Sequence, residues 1–548
     1  MHETKTQSFL KGAAILAAAS MFARIIGVIF KIPIARMLGS EGTGYFQVTY
    51  NIYALVLAIS TAGIPVALSR MIASAHAEGN TNLAKRYYSV AMPAFMIIGS
   101  VAMLVMIIFA ESIAGFMNSS QVAFSIRIIA PAVFFVCMIS VYRGYAQGFG
   151  NMVPTALSQV VEVVAKTVIG ITAVIIFIQL GFNIYIISGG AIIGVTVGAG
   201  LCIPLLFWQK KKIDRSITYS SPSDAPALPT RTSAFLQIMK VSIPITLTAS
   251  FISIMTLVDT TIVLGRLQSS LLLTEAEAAL QFGLFAQALM VFNLPPSFIL
   301  PISVSIIPAI ASSLAKKRRE DASIIMQSAM KLTNLIAMPA AAGLMVLAGP
   351  ILNVLFSGSS QTPENFRTMT MIMTILGATS YFVCLHHLNT AILQANGRER
   401  TSLITFPIGA ILRIIISFIL VAHPNIGVIG SAIGALVCFF TISVLNLSVI
   451  IFKIKEVPKF MSVFIKPFIC TLIMAVATFF SHKLISDIGN ETLGEGYLAS
   501  ALYLAVAIIV GIALYAFLII ITKTITKQDL LHLPKGEKIA RFLKVRSI

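Results

Sequence analysis

The sequence predicts an all-α integral membrane protein of about fourteen transmembrane helices, and three observations carry that prediction. The composition is 57% hydrophobic and only 11% charged, with a mean hydropathy of +0.93; a soluble chain carries about 25% charged residues. Apolar runs of about 20 residues, the length that crosses a bilayer, recur along all 548 residues. The 39 lysines and arginines, set against 20 acids, gather in short connectors between those runs. A net charge of +19 in that placement reads as membrane topology and attraction to anionic lipid headgroups, not as nucleic-acid binding.

Taken in order, the predicted spans lie near residues 9–37, 44–74, 88–110, 122–149, 153–179, 184–208, 235–265, 280–313, 326–350, 366–395, 401–421, 427–452, 461–482 and 498–522. The first carries Arg24 within a short apolar core and reads as a retained helix, not a cleaved leader. Connectors after even-numbered spans are basic, with Lys85 and Arg86, then Lys210 to Lys212, Arg215 and Arg231, then Lys316 to Arg319, Arg398 and Arg400, and Lys453, Lys455 and Lys459. Connectors after odd-numbered spans are short or acidic, with Glu111, Glu275, Glu277, Asp487, Glu491 and Glu495. The positive-inside bias therefore places both termini in the cytoplasm, and an even number of spans agrees. The five cysteines all fall in apolar runs without metal-ligand spacing, so no metal or cofactor is expected.

The Pro/Ser-rich basic stretch Gln209–Ser233 cuts the chain in two, and the two sides repeat each other. "FVCMISVYRGYAQGFG" (Phe135–Gly150) aligns without gaps on "FVCLHHLNTAILQANG" (Phe382–Gly397), an offset of 247 that also places Lys166 on Arg413. "GGAIIG" (Gly189–Gly194) resembles "IGSAIG" (Ile429–Gly434), and "IPVALSRMIA" (Ile64–Ala73) resembles "IPAIASSLA" (Ile307–Ala315). Two six-helix lobes related by a parallel pseudo-two-fold repeat are the expectation, with a site between them. The predicted organisation is an N-terminal lobe at 1–208, a cytoplasmic linker at 209–233 and a C-terminal lobe at 234–455. Two extra helices follow at 456–522, then a basic cytoplasmic tail at 523–548.

An ionisable side chain at mid-bilayer costs at least about 2.5–3.5 kcal/mol on insertion scales, so it normally faces a cavity or a partner. Arg24 and Lys31 lie seven residues apart in the first span, on nearly one face, with no acid there to pair either. Snorkelling competes with a cavity role for Lys31. Arg143 and Glu162 flank the Gly150–Pro154 hairpin at similar depth and can pair, and Glu162 also precedes Lys166 by four residues. A closed network that only ties two helices together is the alternative. Arg413 has no acid in its own helix. Asp259, seven residues before Arg266, reads as a structural or interfacial charge, and the adjacent His386 and His387 as core hydrogen-bonding residues, with a proton role as the alternative. The tally is Arg24, Lys31, Arg143, Lys166 and Arg413 against Glu162 and Asp259, a surplus that attracts anions; arginine suits phosphate through paired hydrogen bonds.

The stretches "ARIIGVIFKIPIARMLG", "GIPVALSRMIA" and "YRGYAQGFGNMVPTALSQVVEVVAK" resemble the SpoVB (stage V sporulation protein B)-like branch of the MOP (multidrug/oligosaccharidyl-lipid/polysaccharide exporter) superfamily, related to MurJ-type lipid II flippases. The resemblance spans the whole chain. It implies a two-lobed flippase in the bacterial cell membrane that moves an undecaprenyl-pyrophosphate-linked saccharide, lipid II or a related wall or spore-cortex precursor, from inner to outer leaflet. It implies that cavity arginines hold the pyrophosphate, and Arg24 matches the first of them. The chain departs from that pattern where Phe30 precedes Lys31, and where "YNIYALVLAIS" and "QALMVFNLPPSFIL" carry no arginine. The expected partners are a lipid-linked saccharide, membrane lipids and a coupling ion left open. A cation-coupled multidrug exporter and a non-transporting scaffold in wall assembly are the competing readings. An enzyme is not expected, because no phosphate-binding glycine loop, zinc spacing or activated nucleophile is present.

Overall fold

The computed structural model describes residues 2–61, 63–217, 220, 227–356, 362–454, 458, 460–493, 496–522 and 524. The side chains of residues 2–18, 20, 21, 24, 25, 28, 29, 248, 249 and 490–493 lie outside the described set. Every element among the described residues is helical. They form two compact units, Met1–Gly283 and Leu284–Ile548.

The first unit holds α1 (His2–Thr61), α2 (Ile64–Ala77), α3 (Thr81–Ile108), α4 (Ala110–Phe116), α5 (Ala123–Gly148), α6 (Val153–Gln179), α7 (Ile184–Ser216), α8 (Arg231–Leu271) and the start of α9 (Glu275–Phe292). The second holds the rest of α9, then α10 (Leu294–Ala315), α11 (Arg319–Val346), α12 (Ala348–Phe356), α13 (Pro363–Ala395), α14 (Glu399–Val421), α15 (Ile429–Val449), α16 (Lys466–Leu493) and α17 (Tyr497–Ile521). Short π-helical turns occupy Ile450–Ile454 and Met461–Ile465. The linker boundary expected at residues 209–233 and the packing boundary after Gly283 measure different things. The first marks where sequence correspondence restarts; the second places α8 with the helices it packs against, α1, α2 and α3.

Thirteen candidate membrane spans occur among the described residues, so the chain is a multi-pass membrane protein. Its outer faces carry large apolar side chains such as Ile97, Ile108, Leu247, Ile404, Phe480 and Ile512. Such a surface suits lipid, and helices satisfy their backbone groups internally. The first two predicted spans run together as α1, which is broken at Gly39 (φ 63°, ψ −171°), a left-handed backbone that glycine adopts without steric cost. The predicted span 44–74 is interrupted again before Ile64, where Pro65 sits at the start of α2. The predicted span 280–313 is two helices, α9 and α10. Pro295 and Pro296 cannot donate to the preceding turn, and the Asn293 side chain donates to the Leu289 carbonyl (2.7 Å).

Caps fix the helix ends. Thr274 and Glu277 form a reciprocal capping box at the head of α9. These bonds from the Thr274 backbone and hydroxyl hold the Glu277 carboxyl below the usual carboxylate range. The ends of α5 and α13 are alike: Gly150 (φ 75°) and Gly397 (φ 69°) both turn left-handed. In α5 the Gly150 and Asn151 amides donate to Gln147 and Ala146; in α13 the Gly397 and Arg398 amides donate to Gln394 and Leu393. These four pairs of positions are all 247 residues apart, and each set is a Schellman cap.

Candidate functional site

The polar cluster of the first unit is built by α1, α5, α6 and α7. Gly39 breaks α1, so Lys31 lies before the break and Tyr50 and Tyr53 lie after it. Arg143 projects from α5, and Ser158, Glu162 and Lys166 follow one another at four-residue intervals on one face of α6. Glycines on α7 let that helix approach closely: a Cβ at Gly194 would meet the Lys166 carbonyl at 2.5 Å, and one at Gly198 would meet the Glu162 carbonyl at 3.0 Å.

Arg143 is spent on α6. Its Nη2 pairs with Glu162 Oε2 at 2.9 Å and its Nε donates to Ser158 Oγ at 2.9 Å. Both charged side chains are largely shielded, 16% and 30% exposed, so each depends on the other for compensation. The lysines are arranged differently. Lys31 Nζ stands 5.1 Å from the Tyr50 ring centroid, and Lys166 Nζ stands 5.7 Å from the same ring and 5.3 Å from that of Phe30. Among the described residues no carboxylate lies within 4 Å of either ammonium. Glu162 bonds Arg143 and not Lys166, its neighbour one turn along α6. Two half-buried cations therefore converge on one aromatic ring, beside a third already neutralised, a local surplus suited to an anion.

The other expected residues are placed as follows. Arg24 lies in α1 and its side chain is outside the described residues. Arg413 is half-buried on α14 in the second unit, where a Cβ at Gly434 of α15 would sit 3.1 Å from its carbonyl. Asp259 is buried on α8, next to Thr260, whose hydroxyl accepts from Asn51 of α1 at 2.9 Å. His386 lies among aromatic rings, 5.6 Å from His387 and 6.0 Å from both Phe406 and Phe439, with Nδ1 3.5 Å from Thr390 Oγ1. All five cysteines are buried and unbridged. Among the described residues no group of three or more His, Cys, Asp or Glu is placed to hold a metal.

A family model described as polysaccharide biosynthesis protein matches residues 9–314, more than half of the chain and all of the helices that build this cluster. The chain belongs to the polysaccharide biosynthesis protein family. Among its relatives, stage V sporulation protein B of Bacillus subtilis (strain 168) is 26% identical over 535 residues, covering 96% of this chain and 98% of its own. The lipid II flippase MurJ of the same organism is 24% identical over 446 residues, covering 78% and 80%. Among solved structures, a lipid II flippase MurJ in an inward closed conformation matches with a TM-score of 0.68 at 18% identity, covering 95% of this chain and all of that one. An inward-facing multidrug resistance MATE transporter of the MOP superfamily matches at 0.63 and 16% identity, covering 78% and 93%. The structural likenesses show the fold: that of the MurJ structure over nearly the whole chain, and that of the MATE transporter over 78% of it.

Sequence reasoning missed Tyr50, Phe30 and Ser158. The repeated tyrosines of "YNIY", three residues apart and so on one helical face, were the available signal. It also passed over Lys331, a buried cation inside the candidate span Arg319–Val346, because it falls close to the expected start of that span.

Proposed function

We propose that the protein flips an anionic lipid-linked saccharide, an undecaprenyl-pyrophosphate-linked wall or spore-cortex precursor, from the inner to the outer leaflet by alternating access. The observation that carries this reading is the convergence of Lys31 and Lys166 on Tyr50 beside the Arg143–Glu162 pair, inside a membrane fold. Family membership and the flippase relative MurJ support it. Two ammoniums with no carboxylate within 4 Å among the described residues attract a diphosphate, while the polyprenyl tail stays in lipid. Arg24 and Arg413 add to the cationic character in this reading, and Glu162 and Asp259 act as charge partners. Both termini lie in the cytoplasm, as the basic connectors indicate. A multidrug exporter shares the fold, but a cationic drug would be repelled by this cluster.

The test is head-group translocation of a fluorescent polyprenyl-pyrophosphate saccharide in proteoliposomes. Wild type is expected to transport. Lys31→Ala/Lys166→Ala and Arg24→Ala are expected to lose at least about 90% of the rate while remaining monodisperse; losing one well-placed charge-assisted bond, worth about 1.5–3 kcal/mol, already costs tenfold or more. Equal rates in wild type and both variants sink the assignment of these cations. Inactivity of wild type under every imposed ion gradient and potential favours the scaffold reading.

A further inference from the structure

Lys31 and Lys166 come from different helices, carry the same charge and face the same ring, so something must offset their repulsion when no substrate is bound. We infer that Tyr50 is a positioning residue: its ring holds the two ammoniums side by side as a stand-in counter-charge, which the diphosphate of a substrate then replaces. This rests on the reading of the cluster as a diphosphate site.

The geometry supports the role in three ways. First, the ring meets both cations within the 6 Å reach of a cation–π contact, at 5.1 and 5.7 Å. Second, the ring is itself held. Phe46, one turn before it, stacks on Tyr50 at 5.9 Å between centroids and 19° between planes, and Tyr53 sits at 5.9 Å on the following turn. Third, the Lys166 ammonium also stands 5.3 Å from the Phe30 ring, so two aromatic rings share it. Such a ring is a weak, uncharged competitor. A carboxylate in its place would hold the lysines more tightly and oppose the incoming anion. A plain aliphatic side chain would leave two like charges to separate. The ring keeps them close and yields to a diphosphate.

Tyr50 also joins the two halves of α1 across the Gly39 break, because Lys31 precedes the break and Tyr50 follows it, and it ties both to α6 through Lys166. Replacing the ring by phosphate therefore loosens a tie between three segments at the moment the substrate engages.

The experiment is isothermal titration of inorganic pyrophosphate, and separately of farnesyl pyrophosphate, into the full chain in nanodiscs. Wild type, Tyr50→Phe, Tyr50→Leu, Lys31→Ala and Tyr50→Leu/Lys31→Ala are compared. Tyr50→Leu is expected to weaken diphosphate binding by about tenfold, the loss of two cation–π contacts of modest strength. Tyr50→Phe, which keeps the ring, is expected to recover all but about threefold of it. In the Lys31→Ala background the Tyr50→Leu effect should shrink to less than about threefold, because the ring then has only one cation to hold; a merely structural tyrosine would show the same loss in both backgrounds. Tighter ring-dependent binding of farnesyl pyrophosphate than of the inorganic ion supports the clamp and assigns it to a lipid-borne head group; equal ring-dependent binding supports it for the diphosphate alone. No diphosphate binding by wild type, an unchanged Tyr50→Leu, or equal weakening in Leu and Phe overturns it. Ring-dependent binding in a wild type that transports nothing leaves the clamp standing and overturns the flippase reading instead.

Discussion

The helices α5, α6 and α7 of the first unit and α13, α14 and α15 of the second use one packing scheme with different polar contents. Their close contacts correspond. A Cβ at Gly194 would strike Lys166 and Gly170 of α6, and a Cβ at Gly434 would strike Arg413 and Ser417 of α14, positions 247 residues on from Lys166 and Gly170. The left-handed caps at Gly150 and Gly397 correspond as well. The charges do not. Arg143, Ser158 and Glu162 match Thr390, Thr405 and Gly409. Where the first unit spends an ion pair, the second uses neutral bonds: Thr405 donates to Asn446 Oδ1 at 2.8 Å, and Asn389 donates to the Ser443 carbonyl at 3.3 Å. The scheme therefore requires small residues at the helix crossings and does not require Arg143 or Glu162. What the two units share at this register is a single cation, Lys166 in one and Arg413 in the other.

The largest expected effect breaks the comparison at the ion pair. Arg143→Leu and Glu162→Leu each leave the other charge shielded and uncompensated, and each should lower unfolding stability in detergent by about 3 kcal/mol, the low end for a broken buried pair. The double variant should be more stable than either single one, because it restores the neutral character that the second unit has at these positions. Thr390→Leu, at the position matching Arg143, should cost about 1 kcal/mol, a neutral hydrogen bond at most. Equal losses at Arg143 and Thr390 would remove the distinction.

A smaller effect sharpens the comparison at the helix crossings. Gly194→Ala brings its methyl to 2.5 Å from the Lys166 carbonyl and 2.6–2.7 Å from Gly170 backbone, atoms that cannot move without shifting α6. Overpacking of that kind costs about 1–3 kcal/mol. Gly434→Ala meets first the Ser417 hydroxyl, at 2.7 Å, and only then backbone, at 3.1 Å. A rotating side chain gives way more easily, so its loss should be about half as large in thermal unfolding. If the second unit proves the less tolerant, the crossings are not packed alike.

What the sequence shows and hides follows the same division. The helical class, the arrangement of most spans and the Arg143–Glu162 pair were legible, because hydropathy, charge spacing and a tight hairpin depend on local order along the chain. The break at Gly39 was read as a gap between two spans, since a glycine within an apolar run does not announce its backbone angle. The interruption at Asn293 was passed over, although Pro295 and Pro296 were there to mark it. Tyr50 was hidden for another reason. The spacing of "YNIY" puts two tyrosines on one helical face, but which side chains of α1 and α6 reach the Tyr50 ring is decided by helix packing.

The smallest effect concerns two helix ends that close alike on different residues. α2 ends on Gly79 (φ 74°), whose amide donates to His76 while that of Asn80 donates to Ala75. α10 ends on the same pattern, with Lys317 (φ 58°) donating to Leu314 and Arg318 to Ser313. A lysine in the left-handed region pays a steric penalty of about 1 kcal/mol that glycine avoids, and part of the gain on removing it is returned as extra freedom of the unfolded chain. Lys317→Gly should therefore stabilise the protein by about 0.5 kcal/mol, and Gly79→Lys should destabilise it by a similar amount, both read as shifts in thermal unfolding at fixed detergent. Because Lys317 also carries one charge of the basic connector Lys316–Arg319, Lys316→Gly, which removes the same charge one position earlier without relieving a left-handed residue, is the control. Stabilisation by both glycines alike would assign the gain to charge, and stabilisation by Lys317→Gly alone assigns it to the backbone.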